Sequence, residues 1–207
     1  MTKERNQPNQ TYLALGDSYT IGEGVPEAEN FPHQAVQLLN KAGHPFSKPT
    51  IIAKTGWTTD ELTAGIAAAN PPGPYNIVSL LIGVNNQYRG RSSEEYKGEF
   101  EGLLLKAIAY AGGNNNHVFV LSIPDWGVTP FAEGRDRAQI ALEIDQFNAI
   151  NQAVAAQYKV HYIDITPGTR EAATDRTLLT SDNLHPSGKD YERWAEKLAT
   201  GIGNLEN

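Results

Sequence analysis

Three residues that lie far apart in the sequence have the side chains of an activated nucleophile: Ser18, Asp182 and His185. A serine hydroxyl is a weak nucleophile until a neighbouring base takes its proton. Imidazole, with an ordinary pKa of about 6.5, can take and return a proton at neutral pH. Asp182 precedes His185 by three residues, so its carboxylate can bond one ring nitrogen while the other faces Ser18. The three residues therefore predict a catalytic Ser–His–Asp triad.

Each of these residues also has a structural interpretation. Ser18 can be a turn serine that bonds only to the local backbone, and Asp182 can be a loop cap. The presence of both partners favours the chemical interpretation of Ser18. The remaining histidines are interpreted as surface or packing residues: His33, His44, His117 and His161.

Four short motifs occur in order between residues 16 and 185, which is nearly the whole chain. They are Gly16-Asp17-Ser18, Gly56 within Thr55–Thr59, Asn85 within Gly83–Asn86, and Asp182-Asn183-Leu184-His185. A bare Gly-Asp-Ser is common by chance, but the ordered set resembles the SGNH subgroup of the GDSL esterase/lipase family. The resemblance implies a serine hydrolase that needs neither a metal nor an organic cofactor.

The resemblance also implies an oxyanion hole, which would stabilise negative charge on the substrate oxygen. Its donors would be the backbone N–H groups of Ser18 and Gly56 and the side-chain amide of Asn85. The residue types agree, because glycine permits close approach and an amide donates without carrying charge. Asn85 can alternatively be a turn residue at a strand end. In the family Asp17 supports the turn, and many members carry aspartate where this chain has Asn86, so the local loop conformation is left open.

Strand and helix patterns alternate along the chain, which predicts a parallel sheet with helices on both faces. The predicted strands are residues 12–15, 50–53, 77–82, 118–123 and 160–165. Together with the resemblance, this predicts a three-layer α/β/α, flavodoxin-like fold with a five-stranded sheet. Ligands of such sheets bind outside the carboxyl ends of the strands. Ser18, Gly56 and Asn85 each follow a predicted strand, so we expect them to meet at one edge.

Several local features follow from residue types. Thr59 is expected to cap a helix, and residues 187–190 resemble a capping box that opens the last helix. Residues 166–184 are expected to be a long polar loop before His185. The aromatic residues near the site are candidates for the wall of a compact acyl pocket, with ordinary core packing as the alternative: Trp57, Trp126 and Phe131.

Composition limits the function classes. The chain has 207 residues, a net charge of −7 and no cysteine. These values argue against a nucleic-acid partner and exclude disulfides and a thiol nucleophile. We expect a polar tail at residues 1–10 and one hydrolase domain at residues 11–207. Residues 1–10 lack an apolar signal region and no segment is apolar enough to span a membrane. A cytoplasmic enzyme is therefore expected, with a secreted mature form as the alternative.

The predicted activity is hydrolysis of carboxylic esters with short acyl chains, through an acyl-enzyme on Ser18. The predicted partner is a small-molecule ester. Alternatives within the family are a carbohydrate O-deacetylase, a lysophospholipase, a thioesterase or an acyltransferase. The alternative that is not an enzyme is a catalytically silent ligand-binding module with the same fold, because a fold alone does not determine function.

Overall fold

The computed structural model describes residues 9–205, and its central element is a five-stranded parallel sheet with strand order β2-β1-β3-β4-β5. The sheet and its flanking helices confirm the predicted fold class. Strands three to five each end one or two residues earlier than predicted. The strands are β1 (Tyr12–Asp17), β2 (Thr50–Lys54), β3 (Ile77–Leu81), β4 (Val118–Leu121) and β5 (His161–Ile163).

Helices cover both faces of this sheet. They are α1 (Ser18–Ile21), α2 (Phe31–Lys41), α3 (Thr59–Ala69), α4 (Val84–Tyr88), α5 (Ser93–Tyr110), α6 (Arg137–Gln157), α7 (Thr166–Thr169) and α8 (Gly188–Gly203). On one face α2 packs against α8, where the rings of Phe31 and Trp194 lie 6.1 Å apart. On the other face α5 packs against α3 and α6, and Tyr96 lies 4.4 Å from Phe147.

The strand β1 is buried along its whole length because helices cover both of its faces. Leu13 and Leu15 are fully buried, and each contributes about 2 kcal/mol of hydrophobic stabilisation. The buried hydroxyl of Tyr12 is hydrogen-bonded to the hydroxyl of Ser79 on β3 at 2.7 Å. The nucleophile candidate is thus attached to a rigid central strand.

The predicted strand ended at residue 15, before Gly16. In the structure β1 continues through Gly16 to Asp17. The glycine is required for space instead. A β-carbon at this position would lie 2.1 Å from the Thr20 hydroxyl oxygen and 2.5 Å from the Leu81 carbonyl oxygen. Gly16 therefore allows α1 to fold tightly against the end of β3, directly after the strand.

The order of the strands creates a switch point between β1 and β3. The chain leaves β1 towards β2 on one side and leaves β3 towards β4 on the other. In open α/β sheets the resulting crevice at the carboxyl ends is where ligands bind. Ser18 follows β1 and Asn85 follows β3, so both lie at this crevice.

The start of α3 differs from the prediction by one residue. Thr58, not Thr59, is the N-cap, and its backbone N–H donates to the Glu61 carboxylate at 2.9 Å. Thr59 is the first residue of the helix, and its hydroxyl donates to Glu99 instead. The sequence alone does not decide between Thr58 and Thr59, because the two are adjacent and either residue type can serve as the N-cap.

The predicted capping box at residues 187–190 is not formed, although α8 begins where expected. The Ser187 hydroxyl donates to the Thr177 carbonyl at 2.7 Å and accepts no bond from the helix. Asp190 bonds Arg193 at 3.1 Å, one turn along the helix. A residue outside the helix at one position and a residue of the helix itself at the other have replaced the cap.

The predicted loop at residues 166–184 contains regular structure. It includes α7 and two 3₁₀ turns, Arg170–Ala173 and Arg176–Leu178. Single turns show no hydrophobic periodicity, which is why the sequence did not indicate them.

At the amino end, residues 1–8 of the predicted tail lie outside the described residues. Gln10 is paired with the strand-like segment near Phe46, where its backbone bonds Pro45 and Ser47. A single domain over residues 11–207 remains a prediction. None of the helices within residues 9–205 has both the length and the apolarity needed to cross a bilayer.

Candidate active site

Ser18 is the first residue of α1 and lies at the carboxyl end of the central strand. Its side chain is 4% exposed, and its hydroxyl oxygen is 3.0 Å from Nε2 of His185. Asp17 caps the helix, because its carboxylate accepts from the backbone N–H of Tyr19 at 3.0 Å. As the first helical residue, Ser18 has a backbone N–H that makes no bond within the helix.

The side chains of His185 and Asp182 are joined as predicted. Nδ1 of His185 is 2.6 Å from the Asp182 carboxylate. When Nδ1 carries the proton, Nε2 is left to accept from the Ser18 hydroxyl. The structure therefore brings the three predicted triad residues into one hydrogen-bonded row.

Asp182 is held in its charged form by four donors. Burial by itself would raise its pKa, but hydrogen bonds from the Thr180 hydroxyl, the His185 ring and the backbone N–H groups of His185 and Leu184 lower it to about 2. The hydroxyl of Thr180 lies at 2.6 Å and the two backbone nitrogens at 2.9 and 3.0 Å. A carboxylate ionised at neutral pH can orient the imidazole and stabilise its protonated form.

The loop that carries His185 is closed on itself. The backbone N–H of Thr180 donates to the His185 carbonyl at 2.8 Å, and Leu179 forms an antiparallel bridge with Pro186. The ring of Tyr19 packs beside the imidazole, with centroids 5.1 Å apart. These contacts fix the histidine from its backbone and from its ring face, which limits its movement relative to Ser18.

Gly56 and Asn85, the other expected oxyanion-hole residues, line the same cavity as Ser18. Gly56 has a φ of +81°, a conformation that strains any residue with a β-carbon. The amide of Asn85 donates to the Trp57 carbonyl at 3.0 Å and to the Asp17 carboxylate at 3.3 Å. Both hydrogens of this amide have protein acceptors, and the contact with Asp17 is the longer of the two.

Asp17 is fully buried beside the site. Burial raises its pKa to about 7, against the opposing hydrogen bonds from the Tyr19 backbone and the Asn85 amide. Asn86, at the position where the sequence left the loop conformation open, bonds to α3 and not to Asp17. The Asn86 amide donates to the Thr59 hydroxyl at 2.7 Å, which ties α4 to the start of α3.

A cavity of about 180 Å³ opens beside Ser18 and His185. Besides Tyr19, its lining includes three aromatic residues that contact one another: Tyr88, Trp126 and Phe131. The rings of Tyr88 and Phe131 are 44% and 47% exposed, so this wall is open to solvent at its rim.

Of the three aromatic residues considered for an acyl pocket, Trp126 and Phe131 line this cavity and Trp57 does not. The indole of Trp57 lies against α3, where a β-carbon on Gly65 would be 2.1 Å from it. Tyr88 was missed. Its position three residues after Asn85 on one short helix was a usable signal, because residues at that spacing share a helix face.

Trp126 is fixed by a polar chain behind the cavity. Its indole N–H donates to the Gln87 side chain at 2.7 Å, and the Gln87 amide donates to Glu143 on α6 at 2.7 Å. Trp126 is 4% exposed, so its single donor has the partner that a buried indole needs. Trp126 is therefore held in place by hydrogen bonds, whereas Tyr88 and Phe131 at the rim are open to solvent.

The other histidines take no part in this site. His161, for example, stacks on Phe119 with ring centroids 4.6 Å apart. Across residues 9–205, no group of three or more histidine, aspartate or glutamate side chains is arranged to hold a metal ion.

Comparisons with known proteins agree with this fold. TesA superposes with a TM-score of 0.74 at 21% identity, covering 95% of this chain and 99% of TesA. The W215I variant of Axe2, an acetyl xylan esterase from Geobacillus stearothermophilus, gives 0.71 at 21% identity, covering 94% of each chain. The esterase EstA from Pseudoalteromonas sp. gives 0.66 at 18% identity, covering 96% of this chain and 100% of EstA.

The TM-scores show a shared fold. No curated protein matches the chain in sequence. The model of the GDSL-like Lipase/Acylhydrolase family matches residues 14–193, which include all four motifs. The chain therefore belongs to the GDSL-like lipase/acylhydrolase family.

Proposed function

We propose that this protein is a serine esterase that hydrolyses carboxylic esters of short acyl chains through an acyl-enzyme on Ser18. The observation that carries the proposal is the row Ser18–His185–Asp182, with contacts of 3.0 and 2.6 Å beside an aromatic cavity. A fold alone would not support it, since related folds host different functions. Here it is further supported by Gly56 and Asn85, which line the same cavity as Ser18 and His185.

In the proposed first half-reaction, Nε2 of His185 takes the proton of the Ser18 hydroxyl as its oxygen attacks the ester carbonyl carbon. The carbonyl oxygen becomes an oxyanion, and the imidazolium is stabilised by Asp182. His185 then gives its proton to the leaving alcohol as the carbon–oxygen bond breaks. The products of this half-reaction are the free alcohol and an ester between the acyl group and Ser18.

In the second half-reaction His185 removes a proton from water, whose oxygen attacks the acyl carbonyl. Collapse of the second oxyanion returns the proton to Ser18 and releases the carboxylic acid. Atoms balance, because one water is consumed for each ester that is cleaved. No other reactant is needed.

The proposed oxyanion donors are the backbone N–H groups of Ser18 and Gly56 and the side-chain amide of Asn85. Donors of this kind are typically worth about 3 kcal/mol each in the transition state. For Asn85, the 3.3 Å contact with Asp17 is the weaker of its two bonds. The oxyanion would compete for that hydrogen as negative charge develops.

The aromatic cavity supports the choice of short acyl chains. Its volume of about 180 Å³ accommodates about six groups of the size of water or a methylene. A long-chain lipase would need a longer apolar groove. A screen of esters that vary the acyl and leaving groups separates this proposal from a carbohydrate O-deacetylase, a lysophospholipase or a thioesterase.

The test uses Ser18→Ala, His185→Ala and the double variant with p-nitrophenyl acetate. Each single change should lower kcat by about 10⁴-fold or more, and the double variant should be little worse, because the two side chains act as a unit. A fluorophosphonate should label the wild-type protein on Ser18. The exposed Ser93→Ala is the matched control and should retain full activity.

Two results would overturn the proposal. Near-normal turnover by Ser18→Ala would remove the nucleophile. A wild-type protein that neither cleaves esters nor reacts with the fluorophosphonate would instead be a binding module.

A further inference from the structure

Arg89, at the end of α4, reaches across the crevice to the loop that carries Gly56. Its Nη2 donates to the Gly56 carbonyl oxygen at 2.6 Å, and its Nη1 lies 3.3 Å from the Glu61 carboxylate. We propose that Arg89 is a positioning residue for the Gly56 arm of the oxyanion hole. The inference rests on the proposed esterase function and assigns Arg89 the role of aligning the backbone N–H of Gly56.

The Gly56 loop needs such support because glycine is the residue with the greatest backbone freedom. The peptide between Gly56 and Trp57 is held at both ends. Its N–H donates to the Lys54 carbonyl at 3.2 Å, and its carbonyl accepts from Arg89. With this peptide fixed, the φ of +81° sets the direction of the preceding Gly56 N–H.

That Gly56 N–H is available to a ligand. Gly56 lines the cavity beside Ser18, and its N–H has no acceptor among residues 9–205. A donor stabilises an oxyanion only when it points at the oxygen before the charge develops. Loss of the Arg89 contact would leave the donor present and its direction poorly fixed.

Arg89 is in turn anchored to a helix terminus. The Glu61 carboxylate accepts from the backbone N–H of Thr58 at 2.9 Å and from its hydroxyl at 3.0 Å, which places it in the cap of α3. The guanidinium therefore connects Gly56 to α3 through Glu61 and to α4 through its own backbone. A planar guanidinium with several donors suits this double contact, and a lysine ammonium does not reproduce it.

Arg91 provides a matched comparison two residues along the chain. It also binds the first turn of α3, at 2.8 and 3.3 Å from the Asp60 carboxylate oxygens. Its contacts do not include Gly56. Arg91 therefore has the same type of ion pair between the same two segments, without the contact that the proposal depends on.

The test measures kcat and KM of Arg89→Gln, Arg89→Lys and Arg91→Gln with the neutral ester p-nitrophenyl acetate. Arg89→Gln should lower kcat about 10-fold with KM unchanged, because the donor acts on the developing oxyanion. Arg89→Lys should recover part of that loss, and Arg91→Gln should stay within about twofold of wild type. Inhibition by an alkylboronic acid, whose serine adduct is tetrahedral, should weaken in Arg89→Gln by the same factor as kcat.

Thermal unfolding serves as the folding control, since exposed ion pairs contribute little to stability. Unchanged kcat in Arg89→Gln, a rise in KM alone, or an equal loss in Arg91→Gln would each refute the positioning role. These failures are separate from failure of the esterase proposal. If only the positioning role fails, Ser18→Ala will still be inactive. An active Ser18→Ala would instead refute the proposal that Ser18 is the nucleophile.

Discussion

If the protein is the proposed esterase, the size of the aromatic cavity should limit the length of the acyl chain, and Phe131→Ala should move that limit. The ring of Phe131 forms part of the rim, with its centroid 6.0 Å from the indole of Trp126 and 6.2 Å from the ring of Tyr88. Because it is 47% exposed, its removal opens the cavity to solvent without emptying the core. The expected effect is a shift in chain-length preference.

The magnitude follows from volume and burial. Of the roughly six water-sized groups that fit in about 180 Å³, about two or three are the ester atoms themselves, which leaves room for about three or four methylenes. Each buried methylene adds about 0.8 kcal/mol, or about fourfold in kcat/KM. Wild-type kcat/KM should therefore rise from acetyl to about hexanoyl and then stop rising.

A phenyl ring occupies the space of about three water-sized groups, and about half of that space is already open to solvent in Phe131. The variant should therefore accept about two further methylenes. Its kcat/KM for the octanoyl ester should exceed that of the wild type by about 15-fold, while the acetyl ester changes little. Loss of a half-buried ring should cost about 2 kcal/mol of unfolding free energy.

The assay compares kcat/KM for p-nitrophenyl esters from C2 to C16 in both proteins. Leu105→Ala is the matched control, because Leu105 is similarly exposed at 46% and does not line the cavity. A steady rise to C16 in the wild type would reveal an acyl groove outside this cavity. An unchanged optimum in Phe131→Ala would show that the acyl chain lies elsewhere.

Two further changes test the proposed oxyanion donor Asn85 and the buried carboxylate of Asp190. Asn85→Ala should lower kcat by about 10²-fold or more with little change in KM, because its amide acts mainly on developing charge; an effect on KM alone would make it a substrate-binding group. Burial, against the attraction of Arg193, raises the pKa of Asp190 from its ordinary 3.8 to about 6. Between those values the folded state binds more protons than the unfolded state, so stability falls as pH rises, by at most about 3 kcal/mol. Urea unfolding from pH 4 to 7 should show a smaller fall in Asp190→Asn, and equal slopes would contradict this origin.

Much of the architecture could be predicted because apolar runs and helical spacing repeat over long segments. The run at residues 77–82 indicated a strand covered on both faces, and β3 is buried along its length. The order of strands brought Ser18, Gly56 and Asn85 to one edge, as expected. The pairing of Asp182 with His185 could be predicted because the two residues lie three positions apart in one loop.

Other features depended on contacts between distant segments. Trp57 and Trp126 are the same residue type near the same edge, yet one lies on α3 and the other lines the cavity. Ser187 has a capping residue type, but a carbonyl ten residues earlier takes its hydroxyl. Residue type alone does not specify which neighbour wins such a competition. The bond between Arg89 and Gly56 is another case, as 33 residues separate the two.

The row of Ser18 and His185 joins the two ends of the described chain, because 167 positions separate its members. During synthesis from the amino end, Ser18 therefore emerges well before His185. A chain that stops between the two residues holds the serine without its proposed base. In the proposed mechanism, ester cleavage begins only when the segment that carries His185 has docked beside α1.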